Sequence, residues 1–419
     1  MRTSGYFIDL FAGCGGFSLG LEQAGLMPVF VCELNDDALT TYLNNRRAIN
    51  KKLDSYKISD INEMVRSTRY ISQLMARLDK DFPKMHGTVD LVIGGPPCQG
   101  FSGIGHRRSY SVERRHVPSN QLYKQMATVI RRVRPKAFIF ENVRGLMSAR
   151  WATRGREGEV FEDVLDTFDA LPGYRIAFSL VYARQYGVPQ NRPRVLVVGI
   201  HNDIAVPGED LSKKDAVQRG FLPPPIESSA PHPEEVIGDL IDPNYRNGVK
   251  STDNYPADPM NDLQRRFRTD RRGVVFPVGH PLQDHQYSRH REHVIQKFEA
   301  IRSGHRHLPA ELRTRKFSQR LIPRRWGEQG PTITATSLPD DYVHFAQPRT
   351  LTVREWARLQ TFPDWYQFAG KRTTGGLRRA GNPRAGLFER EVPKYTQIGN
   401  AVPVELARRI GDYLAPILR

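Results

Sequence analysis

Cys98 stands in GGPPCQGFSG (94–103), directly behind Pro96 and Pro97 and just past an apolar run at 90–93. Proline fixes φ and removes a backbone donor, so this stretch is a stiff loop leaving a buried strand, not the start of a helix. Such a loop holds one side chain steady. A free cysteine is commonly just a small buried hydrophobe; on a stiff loop at a strand end it is also a candidate thiolate nucleophile. A second candidate is Glu141, in FIFENV (138–143). An acid directly after Phe138-Ile139-Phe140 is poorly solvated, which suits a proton donor near neutral pH. The alternative is a structural carboxylate that caps the next helix through Asn142. No His or Asn/Asp partner stands at protease-like spacing from Cys98, which argues against a thiol protease.

A third cluster is DLFAGCGGFSLG (9–20). Glycines 13, 15 and 16 permit a tight turn and close approach of backbone to a ligand at a helix start. A nicotinamide dinucleotide site calls for G-x-G-x-x-G, but Ser18 occupies the third glycine position. The next apolar run ends in VCELND (31–36), placing Glu33 where an acid grips the ribose hydroxyls of an adenosine cofactor. In an open α/β sheet, ligands bind outside the carboxyl ends of the strands. The glycine turn, Glu33, the Cys98 loop and Glu141 all occupy such ends.

The elements that must position these groups follow from the apolar pattern. Continuous β-branched or aromatic runs at 6–11, 29–33, 90–93, 137–141, 176–182 and 195–200 read as strands covered on both faces. Helical patterns such as 121–133 separate them, so the first half is a doubly wound α/β domain of the Rossmann-like kind. From about 205 to 345 the chain is rich in Pro, His, Arg and Asp without a clear period, and FLPPPIESSAPHP (221–233) reads as a linker or surface loop. A second, smaller and irregular domain is expected there. Regularity returns at RTLTVREWARLQTFP (349–363). Thr352 and Glu355 form a capping box there, and Leu351 and Trp356 are spaced as a hydrophobic staple, so a helix starts near Val353. The expected division is 1–204, 205–394, and a segment 395–419 that returns to the first domain through an amphipathic helix.

Composition narrows the function. The 419-residue chain carries a net charge of +17 and a sequence pI near 9.9. That excess of cations argues for a polyanionic partner, most often nucleic acid. Mean hydropathy is −0.53 and no run approaches the length of a membrane span. The start is too short and too quickly polar for a signal peptide, and cysteines 14, 32 and 98 show neither CxxC pairing nor zinc spacing. A reduced, cytoplasmic, metal-free protein is therefore expected. Six of the twelve histidines lie between His280 and His307. Their spacing matches no ligand set, and they read as polar surface.

In this order the motifs resemble the bacterial type of cytosine-5 DNA methyltransferase. DLFAGCGGFSLG is similar to that family's S-adenosylmethionine loop, GGPPCQGFS to its catalytic loop, ENV (141–143) to its acid motif and QNRPR (190–194) to its Q-x-R-x-R motif. RTLTVREWARLQTFP is similar to the helix organising the small domain, and QIGNAVP (397–403) to the closing motif.

The resemblance implies that Cys98 is the nucleophile and that Glu141 assists at N3 and the exocyclic amine. It implies that Arg194 holds the cytosine O2, and that Arg192 supports Cys98 and the target phosphate. It places the cofactor S-adenosyl-L-methionine, released as S-adenosyl-L-homocysteine, against Asp9, Phe11, Ala12, Gly13, Cys14, Gly15, Gly16, Glu33, Leu34, Asp60, Ile61, Pro96, Leu122, Asn400, Ala401 and Val402. Gln99, Ser102, Asn142 and Gln190 would face the substrate, which is double-stranded DNA with its target base flipped out. The chain is expected to act as a monomer on DNA, in restriction-modification or phage defence, alone or with defence-system partner proteins. The basic segment 105–120 is similar to the family's mobile loop that closes over DNA. The segment 371–384 is a longer basic loop than the family usually has. Two other readings are a tRNA methyltransferase on the same scaffold and a DNA-binding regulator without turnover. The first is weakened because no cysteine lies beyond 98, the second because Cys98, Glu141, Arg192 and Arg194 are all intact.

Overall fold

The computed structural model describes residues 3–97, 118–152, 154–226, 229–304, 308–313, 319–325, 332–333, 342–374 and 391–419. Its centre is a seven-stranded sheet formed by β1 (Gly5–Leu10), β2 (Leu26–Cys32), β3 (Lys57–Ile58), β4 (Leu91–Gly94), β5 (Ala137–Val143), β6 (Tyr174–Tyr182) and β7 (Pro193–His201). Strand order is β3-β2-β1-β4-β5-β7-β6. The first five strands run parallel. β7 is inserted between β5 and β6 and is antiparallel to both. This is the doubly wound α/β sheet expected from the sequence, with one reversed strand; β3 was not anticipated because it is only two residues long.

Successive side chains of a strand point to opposite faces. Ile8, Val92, Phe138 and Phe140 accordingly join one apolar layer, under the helices Ile61–Arg66, Thr68–Asp81, Leu122–Val133 and Glu159–Asp169. Phe7, Leu91, Ile93 and Ile139 join the other, with the first helix, Gly16–Gln23, and the last, Val404–Ile417. Those two helices touch at Gly20, where a Cβ would lie 2.4 Å from Ala407 Cβ. The two ends of the chain thus cover one face together.

Packing on the sheet continues past the expected domain boundary after 204. Val206, Ala216, Phe221 and Leu222 belong to the second sheet layer. Phe178 N–H donates to Lys214 O, and Ile226 N–H to Gln185 O. The composition of this stretch looks irregular, but Val206, Ala216, Phe221 and Leu222 pack onto the sheet while Leu211 stays exposed.

A third apolar core gathers Val236, Phe267, Leu351, Trp356, Leu359 and Tyr366, and it takes in Cys14 and Leu19 from the first motif. Within it the helix Val353–Leu359 starts as expected. Thr352 Oγ1 accepts from Glu355 N–H at 3.2 Å, and Glu355 Oε2 accepts from Thr352 N–H at 2.8 Å. Leu351 and Trp356 are both buried in this core. Glu355 also receives both terminal nitrogens of Arg349, at 2.7 and 2.8 Å. Beside it, Asp239 is fully buried between Arg358, at 2.5 Å, and Arg268, at 2.6 Å.

Removing one member of a buried ion pair leaves its partner uncompensated, at a cost of about 3–5 kcal/mol. Asp239→Asn should therefore lose stability of that order in urea unfolding, with Arg268 left without a carboxylate and Arg358 paired to Asp364 alone. A loss below about 1 kcal/mol would show that solvent reaches the pair.

His285 corrects the reading of the histidine run as surface. It is buried, its Nδ1 lies 2.9 Å from Thr352 Oγ1, and burial lowers it to about 4, leaving the ring neutral. His305 and His307 lie outside the described residues. No group of three or more metal-ligating side chains occurs among the described residues. No described helix is long and apolar enough to cross a membrane.

Candidate active site at the carboxyl edge of the sheet

The parallel strands end along one edge, at Leu10, Cys32, Ile58, Gly94 and Val143. Because β7 runs the other way, it begins where they end, and Arg194 pairs in register with Val143. The reversal therefore delivers the QNRPR segment to the same edge as the ENV segment. Arg194 Nε lies 2.6 Å from Glu141 Oε1, and both side chains are about nine-tenths buried. Glu141 is thus desolvated but compensated by a guanidinium, a partner that strand pattern alone did not reveal. The short turn Arg144–Ser148 that follows has no side-chain cap, so Glu141 does not serve as one.

Glu141 also lies against the stem of the Cys98 loop. A Cβ on Gly95 would come within 2.8 Å of Glu141 Oε2. Asn142 Nδ2 donates to Pro96 O at 3.0 Å, and its Oδ1 accepts from Val143 N–H. Asn142 therefore secures the stem two residues before Cys98. Cys98, Gln99 and Ser102 lie outside the described residues, as do 105–117 and 375–384 of the two basic loops.

Two residues expected at the substrate are engaged within the protein. Arg192 is 1 % exposed, and its terminal nitrogens donate to Ile333 O and, at 2.7 Å, to Gly399 O. Burial depresses its ionisation and the Arg194 charge adds to this, while Glu141 opposes. Arg192 joins the sheet to the closing motif and to the segment at 332–333. Gln190 is equally committed: its Nε2 donates to Leu359 O and Gln360 Oε1, both at 2.8 Å, and its Oε1 accepts from Ile333 N–H. Neither role is visible in sequence, because the partners are 140 to 210 positions away.

The glycine turn forms the other part of the edge. Phe11 leaves β1 at φ 60°, a backbone region uncommon for a bulky residue and characteristic of functional sites. Gly13, also left-handed, has open space where a Cβ would stand. Gly16 is the opposite case: a Cβ there would meet Val402 O at 2.5 Å and Ala401 Cβ at 3.0 Å, so the closing motif sits directly on the turn.

Glu33 is half-buried. Its Oε2 accepts from Gly13 N–H at 2.7 Å and its Oε1 from Asn35 N–H at 2.8 Å. Burial raises the Glu33 carboxyl, and those two N–H groups oppose the rise. Leu34 next to it is 74 % exposed, the largest exposure among the large apolar side chains described. Asp60 caps the helix Ile61–Arg66 through Asn62 N–H, and Leu122 opens the helix that follows the Cys98 loop. Asn400 is exposed at the end of the helix Lys394–Asn400.

An open glycine, carboxylates at two successive strand ends and a bare apolar side chain between them fit an adenosine-bearing cofactor. Two expected contacts do not face this space. Asp9 is buried, accepts from Ser18 Oγ, and is pushed up to about 7 by that burial, with Ser18 and Arg46 opposing. The Cys14 thiol is buried too, 3.4 Å from Gln397 O. On β1 the side chain of residue 9 shares the inward face of Phe7, so Asp9 supports the turn from behind.

The sequence reading missed Ser18 as a hydrogen-bond donor, Gln360 and Arg46. Gln360 Nε2 donates to Ile398 O at 2.8 Å and so holds the closing motif. Arg46, in NNRRAIN, reads as ordinary surface charge, yet it is fully buried.

A profile of C-5 cytosine-specific DNA methylases matches residues 5–415, nearly the whole chain. The chain belongs to the C-5 cytosine-specific DNA methylase family. Among curated members, it is 30% identical over 97% of its length to the Type II methyltransferase M.DdeI of Desulfomicrobium norvegicum, covering 88% of that protein. It is 31% identical, again over 97%, to the Type II methyltransferase M.BspRI of Lysinibacillus sphaericus, covering 81% of it. Among solved structures, an Escherichia coli prophage protein designated a DNA modification methyltransferase aligns over 99% of both chains with a TM-score of 0.63 and 22% identity. The Entamoeba histolytica methyltransferase EhMeth aligns over 100% of this chain and 99% of its own with a TM-score of 0.54. At 22% and 13% identity these two speak for the fold. In this DNA cytosine-5-methyltransferase, β7 is what brings the acid and arginine motifs together.

Proposed function

We propose that this methyltransferase transfers a methyl group from S-adenosyl-L-methionine to carbon 5 of a cytosine flipped out of duplex DNA, through a transient bond to Cys98. The observation that carries the reading is the Glu141–Arg194 pair, held beside the stem of the Cys98 loop in a chain of this family.

The chemistry requires such a pair. Cytosine carbon 5 is a poor nucleophile in an electron-deficient ring. Addition of the Cys98 thiolate at carbon 6 turns the ring into an enamine, provided charge at N3 is offset. Glu141 is the group to do so, with a proton or hydrogen bond at N3 and an acceptor for the exocyclic amine. Arg194 orients the Glu141 carboxyl and, with its remaining nitrogen, reaches toward the cytosine O2. The bound cofactor supplies an electrophilic sulfonium methyl group. Loss of the carbon 5 proton and departure of the Cys98 sulfur then restore the aromatic ring. Glu33, Gly13, Leu34 and Asp60 are the residues that would hold the adenosine. The relatives' designation as Type II methyltransferases supports a role in restriction-modification, and the charge of +17 supports a phosphate-dominated interface with DNA.

A duplex with 5-fluorocytosine at the target, incubated with the chain and S-adenosylmethionine, tests this. Fluorine cannot leave as the proton does, so the sulfur stays bound. The expected result is a covalent protein–DNA adduct mapping to Cys98 by peptide mass spectrometry. An adduct on another side chain, or none despite methylation of ordinary DNA, would overturn the mechanism.

A further inference from the structure

Behind the glycine turn lies a buried polar cluster that the reaction does not use. Arg46 is fully buried and stacks on Tyr42, its guanidinium carbon 3.7 Å from the ring centre. Its Nε donates to Glu22 at 2.6 Å, and its Nη1 to Tyr42 O at 2.9 Å and to Tyr366 Oη at 3.1 Å. Its Nη2 donates to Gly15 O at 3.1 Å. Tyr366 is fully buried as well, and its hydroxyl donates to Cys14 O at 2.5 Å. Two successive carbonyls of the turn, Cys14 O and Gly15 O, are therefore both held from one side.

Peptide planarity gives this bracing a consequence for the other side. A trans peptide puts C=O and N–H on opposite sides, so fixing Gly15 O directs the Gly16 N–H away from Arg46. Gly15 N–H is itself taken by Ala12 O at 3.0 Å, which closes the turn. Gly15 can fill this position only because it lacks a side chain: a Cβ would fall 2.7 Å from Tyr42 and 2.8 Å from Arg46. Tyr366 belongs to the chain segment after the helix Val353–Leu359, which is also tied to the first half where Ala369 N–H donates to Thr41 Oγ1 and Gln367 N–H to Asn45 Oδ1. The turn that contacts cofactor is thus shaped by a residue of the other half of the molecule.

We propose that Tyr366 and Arg46 are positioning residues that hold the glycine turn in its ligand-binding shape, so that the small domain sets the affinity for the S-adenosyl cofactor. This rests on the reading of the turn as the cofactor site. The bracing acts through geometry, since neither side chain is exposed to touch a ligand.

Calorimetric titration of the full-length chain with S-adenosylhomocysteine, without DNA, tests it. Tyr366→Phe is compared with the parent and with Tyr255→Phe, which loses an equivalent buried hydroxyl bond, to Asp364 at 2.7 Å, away from the turn. Both variants should unfold at lower denaturant. Only Tyr366→Phe should bind the ligand more weakly, by about five- to tenfold, as expected when one buried acceptor loses its donor. Equal affinity of Tyr366→Phe and parent would overturn the proposal, as would equal weakening by Tyr255→Phe, which would mark a general loss of order. A parent chain that binds no ligand would instead overturn the cofactor reading beneath it. Should Tyr366→Phe not fold, Arg46→Lys serves the same test. Lysine keeps the charge beside Glu22 but cannot span Gly15 O, Tyr42 O and Tyr366 together, and the same weakening is expected.

Discussion

Cys98→Ser should reduce methyl transfer to duplex DNA by on the order of 10⁴-fold or more, the scale seen when a covalent nucleophile is removed. A thiol at neutral pH has a population of thiolate, enlarged by neighbouring positive charge, whereas a serine hydroxyl has essentially no alkoxide. The substitution changes one atom on a loop whose stem is held by other residues: Asn142 at Pro96, and Glu141 against Gly95. Cofactor affinity should therefore remain that of the parent, because the glycine turn and Glu33 are untouched. The check is tritium transfer from labelled S-adenosylmethionine, alongside calorimetric titration with the demethylated product. Methylation by the serine chain at the parental rate would refute a covalent route.

Glu141→Gln should lower kcat by about 10²- to 10⁴-fold, the usual contribution of a positioned general acid. Glutamine keeps the shape and can still accept from Arg194, but it has no acidic proton to give at N3. The substitution also leaves the Arg194 guanidinium, nine-tenths buried, without its counter-charge. Some stability should be lost too, since a buried charge without its partner is costly. Single-turnover measurements at saturating cofactor and DNA, below the unfolding transition, separate the two effects. A kcat within a factor of about three of the parent would remove Glu141 from the chemistry, because a general acid contributes far more than that.

Arg192 and Gln190 show why part of the site could not be read from the chain. The motif QNRPR is conspicuous, and its position at a strand end suggests contact with ligand. Only Arg194 of the three polar side chains considered sits at Glu141; the other two bond to backbone at 333, 359 and 399. A side chain's direction at the start of a strand depends on which way that strand runs, and β7 runs against β5. Antiparallel insertion is a matter of topology and leaves no mark on an apolar run such as 195–200. Arg46 and Tyr366 make the same point from the other direction. One looks like surface charge and the other like ordinary core, and their shared task exists only because residues 14–15, 46 and 366 meet in space.

The amino-acid sequence by itself determined the alternation of strands and helices, the glycine turn with its acid on the next strand and the capped helix at Val353. Each is carried by local physics: free φ at glycine, side-chain period, and satisfaction of helix-end donors. The tertiary structure alone decided which charged groups compensate one another. Burial makes an ion pair obligatory, yet the partner can come from any part of the chain. Asp239 finds Arg268 and Arg358, Glu141 finds Arg194, and the glycine turn rests on a tyrosine more than 340 residues away.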